Sequence, residues 1–367
     1  MTIRQLDYDR VARALDDALA RAVIQEEKEG IRQLDLFSDQ LVIFSDQHKG
    51  ARNGADDFQV AEGAYNAALS YYNQMGYSLV TLGDVEELWE ERPQPVIQSY
   101  PKTFELESQF HQAGRYLRIW GNHDDNWRYP DQVQKHLVPV YGGQMLEVRE
   151  VTLFRVIDGG DRIGDLLILH GHHGTLDSDY FSDFSRLLVR YLWRPFQRLT
   201  KIPSNTPATD WQLRHSHNIA MYKWTEKRQK MVLIAGHTHR PVFKSLADKS
   251  QIQKEINSMR QLLSAKPGDR ELQKQLEQLE EEWQWIKTEQ QPRKQGQSGV
   301  EAEIERFVSQ RKPSYFNTGC CCYPDGDITG IELVGGEIRL VRWPDDNGQL
   351  NRNILARTSL RDVYKQL

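Results

Sequence analysis

Short apolar runs recur along the chain, and each stops at a cluster of His, Asp, Asn or Gly. Leu41-Val42-Ile43-Phe44 precedes Ser45-Asp46-Gln47-His48, Ser78 to Leu82 precedes Gly83-Asp84, and Tyr116 to Trp120 precedes Gly121-Asn122-His123-Asp124. Leu166 to Leu169 then precedes His170-Gly171-His172-His173, and Met231 to Ala235 precedes Gly236-His237-Thr238-His239. Continuous apolar runs of about five residues predict strands buried on both faces, because alternation is expected only where one face meets water. Ligands of open α/β sheets gather at the carboxyl ends of such strands, which is where the polar clusters fall.

Other segments have helical or hairpin rhythm. Leu6 to Ile24 reads as an amphipathic helix packed on the domain that follows, with Leu15, Leu19 and Val23 at helical spacing. Ala61 to Met75 repeats this pattern through Tyr65, Ala68, Leu69 and Tyr72 and stops at Gly76, giving a strand–helix–strand unit. Alternation across Asp158-Gly159-Gly160-Asp161 predicts one hairpin, and Ile328 to Trp343 predicts another turning at Gly335-Gly336. The fold class expected is α/β, a two-sheet sandwich flanked by helices.

Two insertions interrupt it. Residues 180–230 mix aromatic and basic side chains, among them Arg186, Arg190 and Arg194, and read as a helical cap. Residues 248–310 carry apolar positions at Ile252, Ile256, Met259, Leu263, Leu272, Leu276, Leu279, Trp283 and Ile286, divided by a Lys266-Pro267-Gly268-Asp269 turn, and read as a long helical hairpin. Gln291 to Ser298 reads as a linker. The organisation expected is an initial helix over 1–30, a domain over 31–247 and 311–350, and the two insertions.

Composition narrows the class. With 47 Lys and Arg against 52 Asp and Glu, the formal charge of −5 does not describe a generally nucleic-acid-coating protein. No stretch approaches the apolar length of a transmembrane span, and Met1 to Ala22 has no apolar run of signal-peptide type. The 3 cysteines, Cys320, Cys321 and Cys322, are adjacent, cannot form a disulfide framework, and fit a reducing compartment. Neighbours in a strand point to opposite faces, so they read as small buried hydrophobes rather than as one chelate. A cytoplasmic location is expected.

The chemistry lies in Asp46, His48, Asp84, Asn122, His170, His237 and His239. Carboxylates, an amide oxygen and imidazoles without thiolates are a ligand set for divalent first-row metals, and their recurrence after five buried runs strengthens the reading. His170 is preferred as ligand over His172, which is left as a substrate-side or supporting group. His111, His136, His173, His215 and His217 read as ordinary structural or surface residues.

Together Asp46-x-His48, Gly83-Asp84, Gly121-Asn122-His123-Asp124, His170-Gly171 and Gly236-His237-Thr238-His239 resemble the ordered signature of the calcineurin-like metallophosphoesterases, over roughly residues 40 to 240 and on to Asn317-Thr318-Gly319. The resemblance implies a four-layer αββα fold with two divalent metal ions, Mn²⁺ first, with Fe or Zn²⁺ as alternatives. It implies Asp46, His48, Asp84 and His239 at one metal, and Asp84, Asn122, His170 and His237 at the other, with Asp84 bridging. His123 would then assist the leaving group, oriented by Asp124, while metal-activated hydroxide attacks phosphorus.

The substrate implied is a phosphodiester or pyrophosphate, nucleotide- or lipid-linked, with Arg186, Arg190, Arg194 and His172 as candidate contacts. Gly83-Asp84 continuing to Leu88-Trp89, and Gly236 to Pro241, are similar to bacterial UDP-2,3-diacylglucosamine pyrophosphatases, so a lipid pyrophosphatase is one alternative. That alternative would bring the cap to the inner membrane surface. The others are an interaction scaffold using the hairpin for protein contacts or self-association, and a nuclease, ranked below these because no extended basic groove is evident outside the cap.

Overall fold

The computed structural model describes residues 7–53, 56–174, 211–243, 249–265, 268–269, 272–273, 276–277, 279–280, 283, 312–344 and 347–367. Among these the chain forms two compact units, one within Met1–Pro241 and Ser314–Leu367, the other within Val242–Pro313.

The first unit is a mixed α/β two-sheet sandwich with flanking helices. One sheet orders Asn353–Ser359, Glu337–Trp343, Ile328–Val334, Leu41–Phe44, Ser78–Leu82, Tyr116–Ile119 and Val148–Arg149. Its middle is parallel: Leu41–Phe44 pairs Ser78–Leu82, which pairs Tyr116–Ile119. The other sheet places Gln33–Asp35, Val151–Asp158, Asp161–Leu169, Met231–Ala235 and Tyr315–Thr318 side by side, and the last three run parallel. Three of the five apolar runs are buried throughout, and Ser78–Leu82 and Tyr116–Ile119 open only at their first residue. Parallel strands covered on both faces have this composition. Their carboxyl ends bring the polar clusters together.

Both hairpins form with the expected turns, Val151–Asp158 with Asp161–Leu169 and Ile328–Val334 with Glu337–Trp343. Helix Glu62–Gln74 buries Ala64, Tyr65, Ala68, Leu69 and Tyr72 against the first sheet, where Phe44 meets the rings of Tyr65 and Tyr72 edge-on at 5.5 and 6.0 Å. Gly76 follows it at φ +81°, a conformation costly for a side chain bearing a Cβ. The first helix, Tyr8–Glu29, starts at Asp7, whose carboxylate accepts from Arg10 N at 3.0 Å. It packs on the second sheet, with Arg155 reaching Glu26 at 2.5 Å.

The boundary read at residue 350 is too early. Asn353–Ser359 adds an edge strand beside Glu337–Trp343, and Leu360–Gln366 folds back as a helix that buries Leu360, Val363 and Tyr364. Charged residues and partial exposure hide such an edge from a search for apolar runs. Of the expected cap, Trp211–Glu226 is a helix, whereas Arg186, Arg190 and Arg194 lie outside the described residues, as does the linker over 291–298.

In the second unit, helix Lys249–Ala265 buries Ile256 and Met259 with Leu279, and Arg260 reaches Glu280 at 2.7 Å across the turn at Gly268. No helix among the described residues is long and apolar enough to cross a membrane.

Candidate metal centre

Three of the five strand ends feed residues in an unusual backbone state. Asp46, His48, Asp84, His237 and His239 all have positive φ, between 50° and 70°. Non-glycine residues pay for that region, and such strain collects where a site demands a particular direction of its side chains. Glycines beside them make the approach possible. A Cβ on Gly83 would run into the His170 ring, and one on Gly121 would run into the Asp84 carboxylate and His170 Nδ1.

Side chains from all five strand ends converge. Asp46 Oδ1 lies 3.2 Å from both His170 Nε2 and His239 Nε2. His48 Nε2 faces His239 Nε2 at 3.1 Å and Asp84 Oδ2 at 3.8 Å, while His170 Nε2 is 3.3 Å from the same Asp84 oxygen. Asp46 with His48 and His239, and Asp84 with His170 and His237, are two groups whose donor atoms lie within 4.8 Å of one another. Asn122 Oδ1 and His237 Nε2 are buried and have no hydrogen-bond partner. Buried polar atoms are ordinarily satisfied, and a bound cation would satisfy both of these.

Electrostatics agree with that fit. Burial opposes the charge on Asp46, yet His239 and His170 hold its carboxyl well below the usual range. Burial also opposes the charge on His48, but the carboxylates of Glu87, Asp84 and Asp46 push it up to about 10. Three buried carboxylates in one cleft call for positive charge, which protons on these imidazoles or bound cations supply.

A residue overlooked by the sequence reading organises the mouth of the cleft. Glu87 Oε2 accepts from His123 Nδ1 at 2.6 Å and from His48 Nδ1 at 3.0 Å. Burial raises the cost of charging Glu87, and the two histidines overcome it and hold the carboxyl below its ordinary range. Trp89 stacks on the His123 ring, with centroids 4.0 Å apart. The signal was available in Gly83-Asp84-Val85-Glu86-Glu87, but only the fold shows which glutamate turns toward the histidines. Glu86 instead pairs with buried Arg118 and accepts from Trp127 Nε1 at 2.8 Å.

Asp124 does not orient His123, contrary to expectation. Its buried carboxylate accepts from the backbone of Gly121, Asp84 and Val85 at 2.6, 3.2 and 3.1 Å, with Arg118 at 3.6 Å. Asp124 therefore ties the second and third loops together. Burial and nearby Glu86 and Asp84, opposed by Arg118, raise its carboxyl to about 7.

His172 is buried beside His170, Nδ1 to Nδ1 at 3.1 Å, so it neighbours a candidate ligand rather than standing at an open surface. His173 bonds to Glu150 and His217 to the Gly171 carbonyl. Asn317 donates to Gly236 O at 2.6 Å and accepts from Gly319 N, while Thr318 Oγ1 meets Ser45 Oγ at 2.6 Å, bracing the loops of Asp46 and His237.

Lys49 supports the same framework from below the loops. Its backbone donates to Val85 O and accepts from Glu87 N, both at 3.0 Å, and its buried Nζ lies 2.6 Å from Glu107 Oε1. Tyr141 OH donates to the other Glu107 oxygen at 2.6 Å.

No family model and no curated protein matches the chain. Among solved structures it is similar to vacuolar protein sorting 29 from Cryptosporidium parvum, at 11% identity and a TM-score of 0.32 over 88% of this chain and 99% of that one. It is also similar to a single mutant of Vps29 from Entamoeba histolytica, at 11% identity and a TM-score of 0.30 over 87% and 98%. Similarity this loose carries no argument, so the centre rests on its own geometry.

Proposed function

We propose that the chain is a dinuclear-metal-dependent hydrolase of phosphodiesters or pyrophosphates. The observation that carries this reading is the convergence of Asp46, His48, Asp84, His170, His237 and His239, with the buried Asn122 Oδ1 and His237 Nε2 unpartnered. Its sequence support is the resemblance to calcineurin-like metallophosphoesterases. Two divalent cations in such a set, manganese first, supply Lewis acidity toward a phosphoryl group and lower the pKa of water.

The protein's own residues do the rest. Asp84, between the two donor groups, offsets charge on both sides, and its Oδ1 accepts from His123 N at 2.8 Å. Burial works against a charged His123, but Glu87 and Asp84 raise its proton affinity above that of a free imidazole, which suits the ring to a proton-donating role. With Nδ1 held by Glu87, Nε2 is the nitrogen that would give its proton to a leaving oxygen. Trp89 fixes the plane of the ring from one side.

A lipid-linked pyrophosphate at the inner membrane surface, with the basic insertion as its contact, is the narrower version of this proposal. The test is a panel of monoesters, diesters, nucleotide pyrophosphates and a UDP-linked lipid in detergent, read by mass spectrometry with the manganese-loaded chain. Cleavage of diesters or pyrophosphates is expected. Silence across the panel with metals bound would favour a scaffold instead.

A further inference from the structure

The three adjacent cysteines part company in the fold. Cys321 is buried in the main core of the first sheet, its N donating to Asp46 O at 3.1 Å. Cys320 and Cys322 lie on the other side of the backbone, in a small cluster with Tyr323. All three are buried, as expected of small hydrophobes, but only Cys321 joins the main core. Gly319, at φ +79°, precedes the segment and is hemmed in by Thr329 and Tyr323, so the course of the chain there is tightly set.

Both thiols face His239. Cys322 Sγ lies 3.9 Å from His239 Nδ1, and both sulfurs and a ring nitrogen of His239 fall within 4.8 Å of each other. Tyr323 OH bonds to His239 O at 3.1 Å, fixing the histidine from the same segment. His239 thus presents one nitrogen to each neighbour, Nε2 to Asp46 and His48, Nδ1 to the thiols. Its side chain is 24% exposed, which opens a way to the otherwise buried sulfurs.

We infer that Cys320 Sγ, Cys322 Sγ and His239 Nδ1 form a site for one thiophilic divalent cation of the zinc class, separate from the oxygen-and-nitrogen centre. Two soft thiolates with an imidazole select zinc over manganese or magnesium, and three protein donors leave one position of a tetrahedron open. Binding replaces the two thiol protons, which leave to solvent, and gives a neutral metal–dithiolate unit with the Nδ1 lone pair as third donor and the ring proton on Nε2; with both centres filled, that proton also leaves and His239 bridges as an imidazolate. His239 makes the two sites neighbours, but the thiol site does not need the other to be filled.

Cobalt(II) added to the full, reduced chain reads the sulfurs directly, because a thiolate-to-cobalt charge-transfer band cannot arise from Asp, Asn and His. The band is expected in the native sequence, in Cys321→Ala and in Asp84→Ala, which disrupts the other centre. It is expected to be lost in Cys320→Ser and in Cys322→Ser. No band in the native chain, or a band surviving both serine variants, overturns the site. Should the serine variants not fold, zinc-edge X-ray absorption of zinc-loaded Asp84→Ala decides: a sulfur shell at about 2.3 Å supports it, and a shell of nitrogen and oxygen alone overturns it. Retention of the band in Asp84→Ala keeps this outcome distinct from the fate of the phosphoester reading.

Discussion

Glu87 Oε2 lies 2.6 Å from His123 Nδ1, which makes a glutamate three residues beyond Asp84 the orienting partner of the histidine at the mouth of the centre. The same oxygen holds His48, a candidate ligand, at 3.0 Å. Supporting carboxylates of this kind fix tautomer and ring direction, and their loss typically costs about 10- to 100-fold in metal affinity or activity. Glu87→Ala is expected to fall in that range, measured as turnover against manganese concentration. Native turnover at all manganese levels would show that the pair is incidental.

His123 and Asp124 are adjacent but should fail differently. His123→Ala removes the proposed proton donor and leaves the ligands in place, so turnover should drop by about 10²- to 10⁴-fold with metal content unchanged. Asp124→Ala strands the backbone donors of Gly121, Asp84 and Val85, at about 1–3 kcal/mol for a buried unsatisfied group. Urea denaturation separates them: the first variant should unfold like the native chain and the second earlier.

Lys49 and Glu107 form an ion pair with both side chains fully buried. Removing one partner leaves the other charge without compensation, so Lys49→Met should destabilise by about 3–5 kcal/mol. Because the Lys49 backbone links the loops of His48 and Asp84, metal affinity should fall as well. An unchanged denaturation midpoint would contradict this.

The runs that end at Asp46, Asp84, Asn122, His170 and His237 were legible because a doubly buried strand and the loop after it are both local in sequence. The set of candidate ligands followed from that rhythm. What was not legible depends on contacts between distant segments. Whether Glu86, Glu87 or Asp124 meets His123 is decided by Arg118 and Trp127, which draw Glu86 away, and by the backbone donors that claim Asp124. The facing of Cys320 and Cys322 toward His239 is likewise set by the Gly319 turn and by sheet pairing, not by the Cys-Cys-Cys string. The edge strand Asn353–Ser359 is too polar to announce itself.

His217 gives a pH dependence with a definite sign. Its Nε2 donates to Gly171 O at 2.8 Å, and burial, helped by neighbouring His173 and His170, lowers its pKa from 6.5 to about 4. The folded state therefore resists a proton that the unfolded chain accepts. Stability from this residue is intact above about pH 6.5, falls as pH drops toward 4, and levels off below, for a total of about 3 kcal/mol. In metal-free protein, His217→Gln should lose that part of the acid sensitivity, seen as a convergence of denaturation midpoints between pH 7 and 4. Parallel pH curves would contradict the assignment.

The central claim is that Asp84 joins two cation positions that hydrolyse a phosphate ester. Counting manganese per chain in the native protein and in Asp84→Ala, with diester or pyrophosphate cleavage followed on the same samples, tests it most directly. Two manganese ions and turnover in the native chain, both lost in the variant, are the predicted result. A native chain that binds no manganese, or a variant that keeps its metals and its rate, would contradict it.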